Sequence, residues 1–313
     1  MSFRRSVATG AFAAVVATSS VLPAFAQGGF GGGPPPYTPE PGAKDLKAVL
    51  YNWAWHTGML RGQAEPELIG TLDYHGEGTV QVNGQPCALT KFRVQANYQT
   101  PGLRTQIECK RANGQAYSNV ETMSGQYAWD EDRPGAELVA GEGKATSKPA
   151  TLQERMIRLW ASPHGAAKAA IAAAAGLSLS ESFAQNPAAL LDRQWAAGVK
   201  PTTTLSWEGN KPVLTFPIPG VAGATATAML DETFLPESVV VKHGSNTTEF
   251  VYGDYQDFNN PLHKIEALYA GTIVERYNGK VVRELKTTLT EIGQIYVVMP
   301  VPASVRSAGP GKN

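Results

Sequence analysis

The stretch IEALYAGTIVERY-NG-KVVRELKTTLTEI, Ile265 to Ile292, decides the fold. Two long runs rich in β-branched residues flank Asn278-Gly279, a dipeptide that supplies the left-handed backbone a two-residue hairpin turn requires. The same grammar recurs outward from it. Gly209-Asn210 separates TTTLSW from KPVLTF, Asn83-Gly84 and Asn113-Gly114 mark two more such turns, and Pro101-Gly102 marks a turn of a second kind. About eleven strand candidates result. Successive strands are joined by tight turns with no helix alternating between them, so the sheet is expected to be antiparallel.

One segment breaks this pattern. Thr151-Leu152-Gln153-Glu154 has the form of a capping box, and Leu152, Met156, Leu159 and Trp160 fall on one face of the helix it would open. Pro163 and Gly165 end or kink that helix, the alanine run from Ala166 to Ala175 favours a second, and Asn186-Pro187 caps a third that ends at Gly198. Residues 151–199 therefore read as a helical insertion covering the concave face of a twisted sheet. Leu46, Val49, Leu50 and Trp53 add a short amphipathic helix, or a helix passing into a strand, over Lys44 to Trp55.

The chain has 313 residues, 42% apolar and 17% charged, a balance that folds around a real core. Lys plus Arg equals Asp plus Glu at 27 each, which leaves no excess positive charge for phosphate backbones and argues against nucleic acid as a partner. Arg4-Arg5, the apolar run Val7 to Leu22 and Ala24-Phe25-Ala26 read as a secretory signal cleaved before Gln27. No Cys follows the apolar run, which disfavours a lipid anchor, and both Sec and Tat routes stay open. No later stretch is long and apolar enough to span a bilayer, so a periplasmic protein with no integral membrane segment is expected after cleavage. Residues 27–44, with Pro34-Pro35-Pro36, read as a Gly/Pro-rich flexible leader, 45–302 as one domain, and 303–313 as a flexible tail.

Cys87 and Cys109 are the only thiols, and an even count in an oxidising compartment favours a disulfide. A hairpin centred between Thr100 and Pro101 would set Cys87 opposite Gly114, five positions from Cys109, so the bond needs a bulge or an off-centre turn. Two buried thiols are the alternative, and metal binding by two Cys alone is a poor third.

Chemistry-bearing motifs are mostly missing. There is no nucleophile elbow, zinc-protease helix, phosphate loop or dinucleotide fingerprint, and nothing calls for a cofactor or a metal. Gly141-Glu142-Gly143-Lys144 reads as a plain loop. His56, His75, His164, His243 and His263 never pair at metal-ligand spacing, and Asp130-Glu131-Asp132 and Asp254 with Asp257 follow strands, where solvated turns are common. The abundant aromatics and methionines fill a core or line an apolar cavity under an alanine-rich, thinly packed roof.

The C-terminal block carries a resemblance. LDETFLPESVVV, with Asp231 and Leu235-Pro236, then FVYGDYQDF, with Tyr252 and Asp254-Tyr255, then Pro261, the long hairpin and a closing MPVP resemble the periplasmic lipoprotein-carrier superfamily with its LolA/LolB-like fold. The likeness is strong over about seventy residues and extends to earlier strands by order and spacing. It implies an incomplete, half β-barrel whose helices lid an apolar cavity for acyl chains. Leu152, Met156, Leu159 and Trp160 are then the candidate lid and cavity residues, a hydrophobic small molecule or lipid the partner, and transport or sequestration the role. Two other readings compete: an enzyme using His164 or the Asp254/Asp257 pair on a hydrophobic substrate, and an envelope assembly module whose leader docks a protein partner.

Overall fold

Alternating inward and outward side chains, broken by Gly- or Asn-bearing turns, produce two antiparallel meanders within one sheet. The computed structural model describes residues 37–60, 69–177, 190, 200–257, 267–293 and 297–311. In chain order the strands are β1 (Thr71–Val82), β2 (Gln85–Asn97), β3 (Gly102–Arg111), β4 (Ala116–Ser124), β5 (Tyr127–Glu131), β6 (Ala145–Ser147), β7 (Thr204–Glu208), β8 (Lys211–Pro217), β9 (Thr225–Leu230), β10 (Pro236–His243), β11 (Asn246–Gly253), β12 (Gln256–Asp257), β13 (Leu268–Tyr269), β14 (Thr272–Tyr277) and β15 (Lys280–Ile292). Thirteen of them form a single sheet in the order β6-β5-β4-β3-β2-β1-β15-β14-β11-β10-β9-β8-β7. Its two halves are joined by the pairing of β1 with β15, and β6 and β7 remain as edges, so the sheet does not close.

Among the described residues, helices run over α1 (Leu46–His56), α2 (Leu152–Ala161), α3 (Pro163–Ala175) and α4 (Ala303–Ala308), and Leu190 is also helical. Helix α2 touches β3 and β4 on one side and β10 on the other, strands separated by five others in the sheet. Only a sheet curled around the helix allows both contacts, which makes this an open half-barrel with a helix in its trough. The bend has a local cause in β1. The register slips after His75 against both neighbours, and Gly78 adopts φ +134°, where a Cβ would lie 2.1 Å from the Glu284 carbonyl oxygen. Only glycine lets the two backbones approach that closely.

Several expectations change here. Thr151 does not cap α2 through its side chain. Its hydroxyl donates to the Lys148 carbonyl, and Glu154 turns to Arg158 instead of closing a box. The true cap is Ser162, whose Oγ accepts from the Gly165 amide, with Pro163 in the first turn of α3. Pro163 therefore starts a helix rather than only ending one, as its fixed φ allows. Within the expected tail, Ala303–Ala308 form α4. Val305 packs with Trp129, Val297 and Met299, and the Gly311 amide donates to the Gln126 carbonyl. From the expected leader, Tyr37 meets Tyr51 edge-on and Lys44 sits 5.1 Å over the Trp207 ring, so its last residues pack on α1 and β7. The signal sequence, residues 27–36, the third helix at 186–198, Pro261 and His263 lie outside the described residues, Leu190 excepted.

Cys87 and Cys109 form a disulfide, with Cα atoms 5.6 Å apart. The β2–β3 turn is centred one residue earlier than the sequence suggests, since Asn97 pairs Gly102, and a bulge between Leu89 and Lys91 removes another position. Cys87 thus faces Arg111 and reaches Cys109 diagonally. The bond closes a 22-residue separation. Its reduction is expected to cost about 3 kcal/mol, read as a lower urea midpoint in dithiothreitol, and an unchanged midpoint would contradict that.

Candidate functional site

Helix α2 has two faces with different fates. Leu152, Leu159 and Trp160 are fully buried and Met156 nearly so, all within the main core. Of these expected lid residues, Leu159 borders a small chamber of about 40 Å³. Tyr98, Tyr252, Tyr269 and Phe250 close around it. A space that just admits one water measures about 10–15 Å³ in the same terms, so this chamber takes a few waters and is too small for an acyl chain. Aromatic side chains thus narrow the space under the roof.

The other face of α2, with Gln153, Glu154, Ile157 and Arg158, lines an open cleft of about 640 Å³. Val80 and Val82 of β1, Ile107 of β3 and Val241 of β10 supply apolar walls. Asn83, His243 and Tyr277 come from three hairpin ends around its mouth. This volume lies in the range of small-molecule sites, roughly 300–1,000 Å³.

An ion network forms the floor. Arg158 meets Glu275 at 3.0 Å, Glu121 at 3.5 Å and Glu154 at 2.5 Å, while Arg283 meets Glu121 and Glu275 at 3.3 Å each. Arg155 extends it from the buried face, donating to the Thr122 and Trp129 carbonyls and to Asp130. Burial alone would push the Glu121 carboxyl up, but Arg283, Arg158 and Arg155 outweigh it and hold it below the ordinary range. Arg158, Glu275 and Arg283 border both the cleft and the inner chamber, so the network partitions the two. It holds cation and carboxylate together in a water-poor setting, where a ligand's polar end finds both donors and acceptors ready.

The inner chamber is lined with tyrosines whose protons are held tightly. Burial pushes Tyr74 up to about 12 and raises Tyr98, Tyr252 and Tyr269 further. Two of these hydroxyls anchor α2: Tyr252 donates to the Ala161 carbonyl, and Tyr98 shares a hydrogen bond with Ser162.

The residues named for an enzyme lie elsewhere. His164 is fully buried, stacked on Tyr269, with Nε2 at 3.1 Å from the Thr57 carbonyl oxygen. Burial lowers its pKa to about 4 against that bond. Asp254 and Asp257 are exposed in the turn after β11 and at β12. None of the three lines the cleft. Among the described residues, no group of three His, Cys, Asp or Glu side chains is placed to hold a metal ion. The motif residues of the C-terminal block act structurally. The Asp231 carboxylate accepts from the Thr233 and Leu235 amides, and the Tyr255 hydroxyl donates to the Pro236 carbonyl.

Glu121, Arg158, Glu275 and Arg283 escape sequence inspection because they come from β4, α2, β14 and β15. One signal does exist: Ile273-x-Glu275 and Arg283-x-Leu285 place a charge in the inward register of an alternating strand.

No family model matches the chain, and no curated protein does. Among solved structures it is similar to a Vibrio parahaemolyticus domain described as an outer membrane lipoprotein-sorting protein, at 8% identity and a TM-score of 0.39, over 80% of this chain and 93% of that one.

Proposed function

We propose that this protein binds a hydrophobic or amphiphilic small molecule, such as a lipid or a lipoprotein acyl group, in the cleft beside α2, and carries or sequesters it outside the cytoplasm. The observation that carries this reading is the cleft's two-part lining: an apolar wall of Val80, Val82, Ile107, Ile157 and Val241 next to a buried ion network. The wall desolvates an apolar segment, worth about 25 cal/mol per Å² before ordering costs, and the network receives the polar end. The ligand stops at the network, since the chamber beyond holds only about 40 Å³. Export is supported by Arg4-Arg5, the apolar run and Ala24-Phe25-Ala26, and the Cys87–Cys109 bond suits an oxidising compartment. Among the described residues no helix is long and apolar enough to cross a membrane.

Native mass spectrometry of the protein from the envelope fraction of an expressing cell is the test. The expected result is a chain beginning at Gln27 with one bound amphiphile, and a melting temperature that rises when a lysophospholipid is added. A bare chain, unmoved by fatty acid, lysophospholipid or phospholipid, would overturn the reading.

A further inference from the structure

The alternating strand directions put the turns at 83–84, 112–115, 244–245 and 278–279 at one end of the sheet, around the mouth of the cleft. These four turns and their flanks, residues 81–86, 110–116, 242–247 and 276–281, contain Lys110, Arg111, Lys242, Arg276 and Lys280 and no carboxylate, with Arg276 alone of the five ion-paired among the described residues, to Glu249 at 3.0 Å. Lys110, Lys242 and Lys280 are exposed. The loop at 132–144, at the same end, uses its charges internally, with Arg133 paired to Glu142. At the opposite end, residues 231–235 and 254–257 carry Asp231, Glu232, Asp254 and Asp257 and no cation, while the 209–210 turn there is flanked by Glu208 and by Lys211, which pairs with Glu237. A chain with no net charge is thus polarised along its strands. Beside the rim lysines, Tyr277 and Val281 are 42% and 41% exposed, large apolar groups at the tip of a hairpin.

From this juxtaposition we infer that the mouth end docks on an anionic lipid surface, with Lys110, Lys242 and Lys280 on the headgroups and Tyr277 and Val281 in the interfacial layer. Phosphate-bearing headgroups attract clustered lysines within a Debye length, and tyrosine favours the boundary between polar and apolar layers. Nucleic acid shares the anionic chemistry but offers no layer for exposed Tyr277 and Val281. Docking would bring the cleft mouth against the bilayer, so that a ligand moves between them without crossing open water. The surface goes beyond the ligand reading and needs no occupant in the cleft.

Flotation with vesicles tests it, using the envelope-purified protein with its first residue checked by intact mass. The protein is expected to float with phosphatidylglycerol-containing vesicles at about 50 mM salt, not with pure phosphatidylcholine, and to be released at about 500 mM. Combined Lys110→Glu, Lys242→Glu and Lys280→Glu should weaken vesicle binding at least about tenfold, while Lys91→Glu, Lys148→Glu and Lys286→Glu, away from the rim, should change it far less. No flotation, flotation indifferent to lipid charge, equal loss in both triple variants, or tighter binding to single-stranded DNA than to vesicles would each overturn it. Native mass spectrometry of the rim variant keeps the two readings apart, since ligand bound in the cleft should survive the loss of docking.

Discussion

Replacing Arg158 with Met is expected to destabilise the protein by about 3–5 kcal/mol, because it leaves two carboxylates at the cleft floor sharing one guanidinium. Glu275 and Arg158 keep only 5% and 14% of their side-chain surface, so water cannot make up the loss. Arg283 is then alone against Glu121 and Glu275. Adding Glu275→Leu restores a one-to-one pair of Arg283 with Glu121 and should recover most of the loss, since an apolar pair of similar volume often replaces a buried ion pair without cost. Urea unfolding of the wild type, the single and the double variant checks this. A single-variant loss below about 1 kcal/mol would place the network in the class of solvent-screened pairs and remove the partition between cleft and chamber.

The second large effect is on pH dependence. His164 is buried and its pKa is lowered from 6.5 to about 4. Between those values the unfolded chain binds a proton that the folded chain refuses, so stability falls by about 3 kcal/mol as pH drops through that window. Lys168, also buried, is lowered from 10.5 to about 7. Its folded form sheds the proton first, so the cost of about 5 kcal/mol is carried in full below pH 7 and relieved as pH rises toward 10.5. Above pH 10 the direction reverses. Half-buried Tyr74, held up to about 12, keeps its proton while the unfolded chain ionises, and stability falls again. The expected profile climbs from pH 4 to a maximum between pH 9 and 10. His164→Phe should flatten the acid slope and Lys168→Met the slope between neutral and alkaline pH. Unchanged slopes in both variants would contradict the assignment.

What the sequence discloses and what it hides follow from the range of the interactions. Asn83-Gly84 and Asn278-Gly279 were readable because a positive φ at Asn83 and Asn278 is a local demand that few residue types meet. The two strand blocks and the helical cover between them were legible for the same reason. Helix α2 shows the limit. Its most apolar face, Leu152 to Trp160, was expected to meet ligand, but the strongest hydrophobic stripe of a helix goes to the core, and the mixed face with Glu154, Ile157 and Arg158 is the one left at the cleft. Thr151 matches a capping box by letter, yet it ends a 3-10 turn over Pro149–Thr151 and its hydroxyl donates to the Lys148 carbonyl instead. The ion network was illegible because Arg158 and Glu275 lie 117 residues apart and meet only when the sheet curls. Compartment chemistry favours pairing Cys87 with Cys109, while the bulge between Leu89 and Lys91 that lets them meet has no sequence signal.

Hydrogen exchange by mass spectrometry, with and without a saturating lysophospholipid, tests the proposed binding site most directly. Protection is expected in β1 around Val80 to Val82, on α2 from Gln153 to Arg158, and across the β14–β15 hairpin, with the peptides around His164 unchanged. Protection confined to α3 and the inner tyrosines, or none at any site under saturating ligand, would contradict a ligand held in the cleft.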